Sequence, residues 1–576
     1  MLPSFSVLKK NLKNNVDSLK VIKIAILADT ASQLVTQAIK GYGIENKVNF
    51  EIFEADYNQI DHQIFDPTSE LFKFAPDFLI ILKSTEHLTK HFYTLDRDKK
   101  ENFAATQIEY IDVLYQTISQ KLNCYILITN FIELNDSVFG NYASKVVSSF
   151  SYQIKRLNLN LMDYCQNRNK VYIIDVDSQI TQLGYQQTFD PKMYFIADMV
   201  FNIDFLPYLA KNIYDIILAI SGSFKKCIIL DLDNTLWGGI IGDDGIDGIE
   251  IGNLGNGKIF SELQLWVKQL KQRGIIIAIC SKNTEEIALE PFKTHPEMVL
   301  RLEDIAIFVA NWKNKADNIR FIQSVLNIGM DSMVFIDDNP FERELVKKEI
   351  PEITVPSLPE DAAEYLIFIK SLNLFETASF TLDDEYRTVK YQKEAERSFL
   401  QNSFANMDDF LANLEMVSEV KPFLGFNIPR VSQLSQRSNQ FNLRTIRYSE
   451  QELIEISTDS NYYTFSFSLV DKYGDNGLIA FVILNKIDES TLFIENWVMS
   501  CRVLKRGMEI FTLDYVVSNA KLNGFNKIVA EYIPTKKNTL VKEHYSSLGF
   551  ELLPNNQYVL DLNIYKLGTQ NFITRI

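Results

Sequence analysis

The sequence predicts an α/β chain in which two parallel-sheet domains are followed by a mixed α+β domain. Three observations predict it. Short apolar runs recur, each ending on polar residues, with helix-compatible stretches between them, as strands buried on both faces of a parallel sheet read. The length of 576 residues exceeds one core and fits about three domains. Past residue 415 the pattern changes to longer strands in succession with a single long helix among them.

In the first domain, about 1–220, the run 21–28 ends on Asp29 and Thr30, and comparable runs cover 78–82, 124–128 and 171–175. A second series begins after Ser221, Gly222 and Ser223, with strands expected at 227–230, 274–280, 306–309 and 333–336 in a domain of about 224–375. The third domain, 376–576, opens with a polar helical stretch near 382–415. It continues with strands expected at 463–470, 478–484, 492–498 and 528–532 and a long helix near 505–522.

Composition narrows the function classes. The hydrophobic fraction is 46%, and no run approaches the roughly 18 apolar residues of a membrane span. The first residues lack a signal-peptide core. Five scattered cysteines without CxxC pairs point to a reducing compartment rather than disulfides or zinc. The expected location is therefore cytoplasmic. A net charge of −16 speaks against nucleic acid, whose phosphates demand basic surface. An acidic protein partner would need a local basic patch, for which 430–450 and 502–506 are the candidate segments.

The strongest signal lies in the second domain. Asp231, Asp233 and Thr235 follow the strand 227–230; Ser281 follows the next, Lys315 lies shortly after the third, and Asp337 and Asp338 follow the fourth. In an open parallel sheet, groups at the carboxyl ends of strands meet in one crevice. Singly, each has a plainer reading: an aspartate after a strand caps helices, and residues 337–340 suit a turn. Together, four strand ends deliver carboxylates, a hydroxyl and an ammonium to one place.

This order resembles the haloacid dehalogenase-like (HAD) superfamily of phosphotransferases, whose DxDxT signature matches residues 231–235. The resemblance implies that Asp231 is the nucleophile and Asp233 the general acid and base. Thr235, Ser281 and Lys315 would hold the phosphoryl oxygens. Mg²⁺, which prefers oxygen ligands, would sit among Asp231, the carbonyl of Asp233, and Asp338, with Asp337 adjacent. The wider context, including 231–239, 280–283, Asn311, Trp312 and 335–340, is similar to the FkbH-like subgroup, as are segments 64–76, 136–141, 433–442, 471–477, 500–502 and 534–538. That likeness implies dephosphorylation of 1,3-bisphosphoglycerate, a small phosphorylated acid. The glyceryl group would be loaded on the phosphopantetheine thiol of an acyl carrier protein. A small-metabolite phosphatase and a carrier-binding scaffold are the rival expectations.

The flanking domains resemble an SGNH-hydrolase fold and a GNAT acyltransferase fold. The first domain carries Thr30 where a nucleophilic serine would stand, and no histidine follows Asp190 by three residues, so it is expected to be inactive. In the third, Arg502, Lys505, Arg506 and Gly507 stand at the turn that would cradle a pantetheine phosphate, and Tyr545 is a candidate general acid with core packing as the alternative. Arg437, Arg444 and Lys536 are further candidate contacts. If Ser281 faces the phosphate, Cys280 faces the interior. Direct transfer to the carrier thiol is therefore expected, with Cys280 or Cys501 as alternative acyl acceptors.

Overall fold

The computed structural model describes residues 2–134, 136–381, 384–401, 404, 406–568 and 572–576. Residues 382, 383, 402, 403 and 405 of the expected helical stretch lie outside these. The chain divides into two compact units, Met1–Leu218 and Ala219–Ile576.

The first unit is built on β1 (Lys20–Ala28), β2 (Val48–Glu54), β3 (Phe78–Leu82), β4 (Tyr125–Thr129) and β5 (Val171–Ile174). All pair in parallel in the order β2-β1-β3-β4-β5. The sequence reading omits β2, whose Val-Asn-Phe-Glu alternation suits an edge strand rather than an apolar run. β3 is buried at every residue, so its pure Phe-Leu-Ile-Ile-Leu composition follows from having cover on both faces.

The second unit holds two sheets. Its parallel sheet consists of β6 (Cys227–Leu230), β7 (Ile276–Ser281), β8 (Ile307–Ala310) and β9 (Met333–Ile336), in the order β8-β7-β6-β9. Side chains alternate between two apolar layers. Ile228, Leu230, Ile277, Ile279, Val334 and Ile336 enter one; Cys227, Ile229, Ala278, Cys280, Met333 and Phe335 enter the other. The helices Lys315–Leu326 and Arg387–Gln401 cover the second layer through Ala316, Ile319 and Ile322 and through Ala395.

The other sheet is mixed. Its strands are β10 (Met416–Ser418), β11 (Val420–Lys421), β12 (Tyr462–Asp471), β13 (Gly474–Lys486), β14 (Thr491–Met499), β15 (Lys527–Glu531), β16 (Glu551–Leu552), β17 (Gln557–Asp561) and β18 (Ile573–Arg575). β14 and β15 run parallel but pair only over Thr491–Phe493 with Lys527–Val529, then separate. Residues 441–443 occupy the widening gap: Met499 N–H donates to the Phe441 carbonyl at 3.0 Å, and Ile533 N–H to that of Leu443 at 2.9 Å. No helix among the described residues is long and apolar enough to cross a membrane.

Candidate active site

The parallel sheet of the second unit brings all four expected strand ends together. β6 delivers Asp231, whose N–H donates to the Ile336 carbonyl at 3.0 Å and so locks it beside the end of β9. β7 ends on Ser281, and β9 leads into Asp337 and Asp338. Lys315 is the first residue of the helix after β8, capped by the Asn314 side chain accepting from Ala316 N–H at 2.8 Å. Its ammonium lies 2.9 Å from Asp231 Oδ2 and 2.5 Å from Asp337 Oδ2.

Burial makes this charge arrangement strong. Asp231 is 6% exposed, Lys315 3%, Ser281 2% and Asp337 0%. Burial alone would push the Lys315 ammonium toward neutrality, but the Asp231 and Asp337 carboxylates outweigh it and hold its pKa up. Burial, reinforced by the Asp231 charge, also raises Asp337. These directions oppose one another across one ion pair. We attribute both to a single ammonium serving several carboxylates, so that negative charge is in excess. Asp338 is raised by burial and by Asp231 in the same way.

Asp231, Asp337 and Asp338 can bring one carboxylate oxygen each within 4.8 Å of one another. A hard oxygen donor set carrying surplus buried negative charge fits a divalent cation such as Mg²⁺. Thr235, expected on the phosphate, has another place. It is fully buried, accepts from Asp338 N–H at 3.1 Å and points its hydroxyl at Asp338 Oδ1 at 3.5 Å. Thr235 therefore braces the Asp338 carboxylate, because the turn after Asp231 folds it beneath β9 rather than toward the crevice.

Asp233 sits apart from the ion pair. Its Oδ1 accepts from Trp237 Nε1 at 3.0 Å and Ile241 N–H at 3.0 Å, and its Oδ2 from Asn283 Nδ2 at 3.1 Å. Burial first, then Asp231, raises its pKa. A carboxyl so fixed, with one lone pair of Oδ2 left for a proton, suits proton transfer. The positions of Trp237, Asn283 and Arg343 escaped the sequence reading. Arg343 donates to the Asp337 carbonyl at 2.8 Å and holds the β9 turn from beneath. The first two stand within the motif segments already singled out, but only the fold shows their partner.

The third-domain candidates part company with expectation. Arg506 is buried between Glu394 and Asp471, and Arg397 joins the same two carboxylates at 3.1 and 2.9 Å. It ties the helix Arg387–Gln401 to the mixed sheet and faces no partner surface. Arg502 is also buried, against the Asn476 carbonyl at 3.3 Å. At the expected phosphate cradle, Lys505 takes φ 64° and Gly507 φ 84°, but the Lys505 N–H already donates to the Glu509 carboxylate at 3.0 Å. A carboxylate of the chain itself fills the anion position. Tyr545 is 1% exposed among Trp497, Phe550 and Tyr558, which matches the packing alternative. Arg444 pairs with Glu495 and Glu531. Cys280 is fully buried in the inner layer, and burial drives its thiol pKa far up. Cys501 is half-buried with its thiol pKa also raised by burial.

In the first unit, Asp29 follows β1 and accepts from Ser84 N–H, just past β3, at 2.9 and 3.0 Å. His87 stands beside it: Nδ1 lies 4.0 Å from Asp29 Oδ2 and Nε2 3.1 Å from Asp198 Oδ1. A histidine thus reaches this strand end from a helix after β3, where spacing from Asp190 could not reveal it. No hydrogen bond joins it to Thr30 among the described residues.

A family model described as FkbH, N-terminal domain, matches residues 23–218. The solved N-terminal part of BF1531 from Bacteroides fragilis, which contains a phosphatase domain and was crystallised with Mg, is 48% identical. That match covers 66% of this chain and 100% of the other, with a TM-score of 0.64. The ribosomal-protein-S18-alanine N-acetyltransferase of Escherichia coli is similar at 14% identity over 26% of this chain and 97% of its own, with a TM-score of 0.21. No protein with a curated description matches the chain.

Proposed function

This chain belongs to the FkbH family, and we propose that it is a Mg²⁺-dependent HAD-type phosphotransferase whose nucleophile is Asp231. Its substrate in this reading is 1,3-bisphosphoglycerate, and its product is a glyceryl group on the phosphopantetheine thiol of an acyl carrier protein. The observation that carries the reading is the Lys315 ammonium at 2.9 Å from Asp231, beside the Asp337 and Asp338 carboxylates.

Asp231 and Asp338, with the carbonyl of Asp233, would hold Mg²⁺, which when bound neutralises charge between the attacking carboxylate and the phosphate. Lys315 orients Asp231 and shares the phosphoryl charge. Attack by Asp231 Oδ on phosphorus breaks the ester P–O bond and leaves an aspartyl-phosphate. Asp233, held by Trp237, Ile241 and Asn283, gives its Oδ2 proton to the departing oxygen and then takes one from water, which hydrolyses the intermediate.

Chemistry divides the two phosphates of this substrate. Hydrolysis of the acyl phosphate would discard the activation that thioester formation needs. The carrier thiol therefore attacks that carbonyl and expels inorganic phosphate, and Asp231 removes the 3-phosphomonoester. Buried Cys280 supports direct transfer to the carrier rather than a thioester at that position. The reading of a plain small-metabolite phosphatase gains support from the filled gap between β14 and β15 and the occupied cradle at Lys505. Intact-mass spectrometry of carrier proteins after incubation with enzyme, Mg²⁺ and 1,3-bisphosphoglycerate separates the two. One carrier gains a glyceryl mass under the proposal; phosphate release with every carrier unmodified would leave the phosphatase.

A further inference from the structure

The second unit contains a cavity of about 880 Å³ between the amino-terminal edge of the parallel sheet and the mixed sheet. Lys226, Ile276 and Ser332, at the beginnings of β6, β7 and β9, form one wall. Asp231, Ser281 and Asp337 stand at the other ends of those strands. Five residues of strand separate Lys226 from Asp231, roughly 17 Å, so a ligand here does not touch the catalytic carboxylates.

The lining reverses the character of the molecule. Nine lysine and arginine residues face three acidic ones there, in a chain of net charge −16. Several of the cations share a counter-charge. Arg387 and Arg437 share the one carboxylate of Asp384, at 2.6 and 2.5 Å. Lys226 donates to the Arg437 carbonyl at 2.8 Å and makes no ion pair within 4.0 Å among the described residues; Asp331, the carboxylate it feels, is paired with Lys537 at 2.8 Å. Burial, with Arg387, Lys537 and Arg437 nearby, pushes its pKa down to about 8. Arg502 Nη1 and Arg437 Nε are buried without a hydrogen-bond partner. Unpaired buried charge is costly, and guanidinium groups match phosphate oxygens in geometry and charge. The volume lies within the range of small-molecule sites.

We propose that this cavity binds a phosphate-bearing organic anion, at a site separate from the Asp231 centre. The inference does not depend on the transfer reaction. Coenzyme A and the phosphodiester-linked arm of a holo carrier protein both present the required chemistry, free in one case and protein-borne in the other.

Isothermal titration of the full chain tests it, with coenzyme A, a holo carrier protein and phosphate-free pantetheine as probes. Coenzyme A or the holo carrier should bind at least about tenfold more tightly than pantetheine, as loss of a charged hydrogen bond implies. Lys537→Glu, at a partly exposed position, and Lys226→Met should each weaken that binding by about tenfold or more. Asp231→Asn should leave it in place. Tighter binding of the holo carrier assigns the site to the protein-borne arm, and tighter binding of coenzyme A assigns it to a free metabolite. Equal affinity for pantetheine, affinities within about twofold in both lysine variants, or loss of binding in Asp231→Asn would overturn the proposal.

Discussion

Asp231 and Asp233 stand two residues apart and meet different surroundings, which suit the two roles proposed for them. Asp231 faces the Lys315 ammonium at 2.9 Å; Asp233 faces an indole N–H, a backbone N–H and an amide, with burial raising its proton affinity. A carboxyl whose proton affinity is raised by burial suits the general-acid role proposed for Asp233. Without carrier, Asp231→Asn should abolish enzymatic release of the 3-phosphate while leaving the circular dichroism spectrum and melting curve nearly unchanged. Asp233→Asn should slow release by about 10²–10⁴-fold. His544 supplies a residue-scale prediction about stability. It packs edge-on against Trp497 and Phe441, at centroid distances of 4.6 and 4.7 Å, and burial lowers its pKa from 6.5 to about 3. The folded state disfavours the proton, so stability present above pH 6.5 is lost as pH falls from there toward 3, by up to about 1.4 kcal/mol per unit. Denaturant melts of His544→Phe between pH 7 and 4 should show that slope reduced; an unchanged slope would remove His544 as its source.

At the scale of elements, two buried arginines, the buried Asp471 and the half-buried Glu394 join the helix Arg387–Gln401 to the mixed sheet. Removing one member leaves an uncompensated buried charge, so Arg506→Ala should destabilise the second unit by about 3–5 kcal/mol in urea melts. Retained stability with a raised KM for carrier would return Arg506 to the role its sequence position first implied. This pair of outcomes shows where sequence stops being informative. The strand ends of the parallel sheet were legible because β6 to β9 are continuous apolar runs, each closing on a polar group. Arg502 and Arg506 were misleading because a charged residue in a turn reads alike whether it meets solvent or the interior: Arg502 meets the Asn476 carbonyl 26 positions away, and Arg506 meets Asp471 and Glu394, 35 and 112 positions away. Thr235 was assigned by motif, and only the fold of its turn sets it against Asp338. His87 was missed for the same reason, since it reaches Asp29 from a helix after a different strand.

For the whole molecule, the proposed phosphoryl chemistry uses residues at the strand ends of one sheet of the second unit. Thr30→Ala in the first unit should leave phosphate release and glyceryl transfer within about threefold of the parent protein, as substitutions away from special features do. A larger loss would make the Asp29 and His87 group part of the reaction. Surplus negative charge around Asp231 also couples metal to folding. Mg²⁺ should raise the melting temperature of the second unit, corresponding to about 2.7 kcal/mol at one hundred times its dissociation constant. Chelator should reverse the shift and stop phosphate release, and Asp338→Ala should abolish the gain.

The nucleophilic role of Asp231 is open to direct observation. Acid-quenched enzyme, mixed for milliseconds with Mg²⁺ and 1,3-bisphosphoglycerate and then digested, should carry one phosphoryl group on the peptide containing Asp231. The same peptide from Asp231→Asn should carry none, and that variant should release no phosphate. Phosphate release by Asp231→Asn at the parent rate, or a phosphoryl group mapped to another residue, would contradict the account.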